Sequence, residues 1–216
     1  MLDLTQFAFY GAAALVLAIT PGPGLFYVAA RTLAGGRAEG MASSFGTGIG
    51  GFVHVLAGSV GVSAMVLASA ELFAALKLIG AAYLVWLGIR TIRSARQQSS
   101  AGLENGLAPS AVGPLRAFRE GVLVEALNPK TAAFFLAFIP QFVDAGSGRV
   151  GLQFLLLGCV SVSLNTFADV AVALVADRIR NRTVARPALI RRLREASGGA
   201  MITLGIGLAL ARRPAT

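Results

Sequence analysis

The chain has 216 residues, 56% of them hydrophobic and only 13% charged, with a mean hydropathy of +0.72. Soluble domains carry roughly 25% charged residues, so this composition excludes an ordinary soluble globule and points to a polytopic membrane protein. The net charge of +9 does not imply nucleic acid, because the arginines cluster between apolar runs as membrane-protein loops do.

The N-terminus, MLDLTQFAFY, carries Asp3 and no basic segment, so a cleaved leader is not expected. Six apolar runs follow, near residues 4–28, 40–66, 72–89, 118–143, 150–176 and 196–211. Most reach the ~20 residues that cross a ~30 Å hydrocarbon core. The last has 16 residues between Glu195 and Arg212, so its flanking arginines must snorkel or the bilayer must thin. The runs are continuous rather than alternating, which predicts helices and not barrel strands.

The first run is broken by TPGPG at 20–24, comprising Thr20, Pro21, Gly22, Pro23 and Gly24. The prolines lack N–H groups, so the carbonyls of Leu17 and Ile19 lose their helical donors. Freed backbone at membrane depth must face protein or a water-filled cavity. The break is therefore either a packing kink or a binding seat, where the restarting half-helix points its amides at a carboxylate.

In the second run Gly46, Gly50, His54 and Gly58 recur every four residues, a face suited to close helix packing. His54 is there either a hydrogen-bonded packing residue or part of a proton route. GTGIGG at 46–51 matches a dinucleotide fingerprint formally, but no strand precedes it and the match is rejected.

QQSSAGLENGLAPSAVG at 97–113 reads as a flexible linker. It divides the chain into a first three-helix repeat at 1–96, a linker at 97–115 and a second repeat at 116–216. The fourth run is broken in turn, at VEALNPKTAAFF, where Glu125, Asn128 and Lys130 surround Pro129. An ionisable side chain near the membrane centre costs on the order of 3 kcal/mol or more. Glu125 and Lys130 either pair as a structural lock, or act as a proton carrier or ammonium seat and a carboxylate contact. In the fifth run Ser161, Asn165 and Asp169 share one helical face. Asp169 either lines the bundle interior or sits near the headgroups.

The two halves match in order. Gly11 and Gly121 precede the two proline breaks, Arg37 and Arg149 each stand nine residues before a glycine, and Gly80–Gly88 and Gly199–Gly207 repeat an eight-residue spacing. Three helices per half is odd, so the second copy must be inverted across the membrane. Inverted repeats that each contain an interrupted helix point to a secondary transporter. Fourteen basic residues fall on the linker side and four on the other, which predicts both termini outside the cytoplasm.

TPGPG, GAAYLVWLGIRTIRS at 80–94 and NPKTAAFFLAFIPQFV at 128–143 together resemble the lysine/homoserine exporter family (LysE/RhtB type). The resemblance covers nearly the whole chain. It implies a bacterial inner-membrane exporter of amino acids or related small metabolites, driven by the proton gradient. By position it carries the signature breaks onto Thr20, Pro21, Gly22 and Pro23, and onto Asn128, Pro129 and Lys130.

The expectation is thus an all-α membrane protein of six helices in two inverted repeats, with helices one and four broken at proline. Its partners are a zwitterionic substrate, protons and lipid, with homo-oligomers left open. A lone Cys159, a single histidine and no nucleophile–base or cofactor motif predict no enzyme, no cofactor and no metal site. The alternative is an ion carrier or channel, including divalent-cation efflux, which would need a denser set of oxygen ligands.

Overall fold

A computed structural model describes residues 4–68, 111–144, 146 and 148–180, with scattered helical residues between 75 and 93 and between 192 and 210. The described residues form helices and no strand. They are α1 (Leu4–Ile19), α2 (Pro23–Ala68), α3 (Pro114–Ala126), α4 (Pro129–Ala137), a 3₁₀ turn (Ile139–Phe142) and α5 (Val150–Arg180). The all-helical class expected from the continuous apolar runs is the one adopted. Much of the third and sixth runs, and residues 97–110 of the linker, lie outside the described residues.

α2 differs from the sequence reading in one respect. A loop is expected around Arg31 and Arg37, but the helix continues through Arg31 and folds at Gly36, whose φ of 77° and ψ of −167° suit glycine alone. The result is a hairpin with arms 23–35 and 37–68. Gly40 lies against the Thr32 hydroxyl, and a Cβ on Gly24 would stand 3.7 Å from Thr47 Cγ2, contacts that a straight rod would forbid. Small polar residues line the crossing: Thr32, Ser43, Ser44 and Thr47 are fully buried, their hydroxyls bonded to carbonyls along the helix.

α3 begins with Pro at its first turn and ends before Pro129, which cannot extend it. Arg116 and Arg119, counted from the sequence among the basic residues of the loop after the third helix, belong to this helix. α4 restarts at Pro129, and with the 3₁₀ turn it is bent by 47° from α3. α5 has 31 residues, about 46 Å at 1.5 Å per residue, and is by length and composition able to cross a membrane alone.

The outer surface differs from that of a soluble protein, and charged groups are buried beside an apolar core. Leu4, Phe9, Val60, Leu127 and Phe167 are exposed, whereas Glu39, Glu125, Asn128, Lys130 and Asp169 are buried. Apolar side chains outside and polar ones inside are what a lipid solvent selects. Tyr10, Phe134, Phe135, Ile139 and Phe154 pack the core, joined by Phe138 and Phe142.

Candidate functional site

The two proline interruptions face each other. α1 stops at Ile19, and Thr20 turns back on it, its N–H and hydroxyl reaching the Val16 carbonyl at 3.0 and 2.5 Å. Pro21 and Pro23 supply no donor to the carbonyls behind them, so this end of α1 needs another cation or donor. Lys130 provides it. Its ammonium donates to the carbonyls of Leu17 at 3.2 Å and Thr20 at 2.9 Å. A cation at a helix C-terminus also meets the negative end of the dipole. Gly22 makes the approach feasible, since a Cβ there would stand 3.1 Å from the Lys130 side chain.

Glu125 serves the other end of the same break. Its carboxylate accepts from Asn128 Nδ2 at 2.9 Å and from Thr131 Oγ1 at 2.6 Å. It lies against Gly24, in the first turn of α2, where a Cβ would overlap Oε2. An anion is favoured at that N-terminus. Asn128 caps α4 by accepting from the Lys130 N–H at 3.0 Å. Among the described residues no ion pair joins Glu125 to Lys130; each charge instead serves one side of the first break.

Asp169 is 1% exposed. Its Oδ2 accepts from Thr47 Oγ1 at 2.7 Å and more weakly from Asn165 Nδ2 at 3.4 Å. Oδ1 is buried without a hydrogen-bond partner among the described residues. Beside this cluster lies a cavity of about 20 Å³, room for one water. α1 contributes Ala14 and Leu17 to its wall, α2 Thr47, α3 Glu125, α4 Thr131 and α5 Asn165. The interior thus places the Glu125 carboxylate in the wall of a small space and the buried Asp169 and Lys130 near it. Among the described residues no three His, Cys, Asp or Glu side chains cluster to hold a metal ion.

His54 stands on the glycine face. Its Nε2 donates to the Glu125 carbonyl at 2.9 Å, and its ring packs on Phe135. Gly46 and Gly50 lie against the α3 backbone at the Phe118 and Val122 carbonyls, and Gly58 lies against the Phe154 ring.

Three participants are not visible in the sequence reading. Thr131 and Thr47 hold the two carboxylates; as threonines in apolar runs they carry no distinguishing signal. Glu39 is buried, and its Oε1 accepts from the N–H groups of Val112 and Gly113, both at 2.7 Å. It lies 3.9 Å from Arg31 and so ties the α3 entry to the hairpin tip. A buried acid in a stretch read as a polar loop could be recognised only from its partners.

The LysE type translocator family profile matches residues 15–212. Over 98% of this chain and 100% of the relative, the sequence is 29% identical to an uncharacterized membrane protein of Vibrio cholerae. It is 29% identical to a homoserine/homoserine lactone efflux protein of Salmonella typhimurium, over 91% and 92% of the two chains. It is 27% identical to a leucine efflux protein of an Enterobacter species over 68% of each. No solved structure matches the chain.

Proposed function

The chain belongs to the LysE-type translocator family, a family of membrane transporters and not of enzymes, and from that premise we propose that it exports amino acids in exchange for protons. The observation that carries the reading is the small interior cavity close to the two helix breaks, walled by five helices, with Glu125 in its wall and buried Asp169 beside it. The relatives' names, homoserine and leucine efflux, support an amino-acid substrate.

In this reading α1 and the first arm of α2 are two halves of one broken span, and α3 and α4 of another. The two halves of the chain are inverted repeats that rock about the cavity. A space that holds one water must open to admit an amino acid, so the described arrangement is a closed state. The hairpin tip at Gly36, the Glu39–Arg31 contact and the basic last turn of α5 gather at one end of the bundle. With the excess of arginine there, that end is the cytoplasmic one, which puts both termini outside, in the bacterial inner membrane.

The test is transport by purified protein in liposomes loaded with the twenty amino acids and homoserine, with an imposed pH gradient and mass-spectrometric readout. Gradient-dependent movement of at least one is expected. Movement of none, or of an inorganic cation alone, would overturn the proposal.

A further inference from the structure

Resting on the export reading, we infer that Asp169 is the group at which a substrate ammonium and a proton replace each other, and that Glu125 is not. Both Glu125 oxygens are engaged within the fold, by Asn128 and Thr131, and the carboxylate also lies against the first turn of α2. Removing it from those partners would undo both breaks. Asp169 is the opposite case: it is buried, yet Oδ1 has no partner among the described residues.

The hydrogen-bond pattern around Oδ2 bears on the protonation form of Asp169. Thr47 Oγ1 has one proton and two acceptors in reach, the Ser44 carbonyl at 2.8 Å and Asp169 Oδ2 at 2.7 Å. An ionised Asp169 competes with Ser44 for that proton; a protonated Asp169 reverses the bond, donating to Thr47 while Thr47 donates to Ser44, and satisfies both contacts. A buried ionised carboxylate with one bare oxygen would be costly. The charged groups on neighbouring elements close enough to act electrostatically on Asp169 are Glu125 on α3 and Lys130 on α4. Lys130 is held by the α1 carbonyls, and α2 presents only the neutral Thr47 at this point.

The exchange follows from this arrangement. Thr47 and Asn165 form part of the cavity wall and both contact Oδ2, so Asp169 lies directly behind that wall, and a primary ammonium reaches it once the cavity opens at these two side chains. The O–H bond of Asp169 breaks and its proton passes to water. The carboxylate then accepts charge-assisted hydrogen bonds from the ammonium, and no covalent bond to the substrate forms. One proton leaves for each ammonium bound, and the reverse occurs when substrate leaves on the opposite face.

Counterflow of the amino-acid and homoserine mixture in liposomes without a pH gradient, together with binding of the same mixture to purified protein in weakly buffered detergent solution containing a pH dye, tests this. Wild-type counterflow is expected to slow as pH falls, and the detergent-solubilised protein is expected to release about one proton per amino acid bound. Asp169→Asn is expected to lose counterflow by roughly 10- to 100-fold, the range for a charge-assisted hydrogen bond, and to release no proton. Asp169→Glu is expected to retain counterflow with a displaced pH profile. Wild-type counterflow in Asp169→Asn, with or without proton release, overturns the assignment. Should that variant not survive purification, an unchanged pH profile in Asp169→Glu overturns it equally. A wild type that moves nothing in the mixture overturns the export reading itself.

Discussion

Replacing Lys130 with methionine isolates the link between the two breaks. The substitution keeps the length and apolar stem but removes the ammonium. The Leu17 carbonyl keeps its contact from the Thr20 N–H at 3.2 Å, whereas the Thr20 carbonyl loses the donor that Lys130 brings at 2.9 Å. An orphaned buried acceptor costs about 1–3 kcal/mol. Losing a cation from the end of α1 adds about 0.5–1 kcal/mol. The expected loss is therefore about 1.5–4 kcal/mol, before any penalty from leaving Glu125 without a nearby positive charge. At roughly 2–4 °C per kcal/mol for a chain of this size, the melting temperature in detergent should fall by about 3–16 °C. Thermal unfolding followed by light scattering and circular dichroism measures it. A variant that melts within about 1 °C of wild type would refute the reasoning, because the ammonium would then not be what completes the end of α1.

Four further outcomes are expected. Gly50→Leu should prevent tight α2–α3 packing, since even a Cβ would overlap the Val122 carbonyl, and gel filtration should show loss of monodisperse protein. Gly11→Ala, with no atom of the described residues within 4 Å of the new methyl, should leave the same profile unchanged. Gly36→Ala should cost about 1–3 kcal/mol, the usual strain of a non-glycine residue at positive φ, and lower the melting temperature accordingly. Glu39→Ala should free the Val112 and Gly113 N–H groups, at about 1–3 kcal/mol in all, and speed protease cleavage beside Val112 several-fold; an unchanged cleavage rate would mean the contact does not hold the α3 entry.

Composition and local chemistry settled much of this protein before any coordinates. An apolar chain with few charges must bond its backbone internally, so continuous runs become helices. Pro21, Pro23 and Pro129 cannot donate, so helices end before them wherever the rest of the chain lies. The four-residue spacing of Gly46, Gly50 and Gly58 likewise marked a close-packing face, because helical periodicity is local. Partnership was decided only by the tertiary structure. Nothing local says that Lys130 reaches the carbonyls of residues 17 and 20, that Glu125 settles against Gly24, or that one Asp169 oxygen has no partner among the described residues. Those outcomes depend on which helix end is brought within about 3 Å of which side chain, and hydrogen bonds weaken steeply beyond that distance. The sequence therefore marked both breaks and their ionisable residues, while packing assigned each charge to the end it completes.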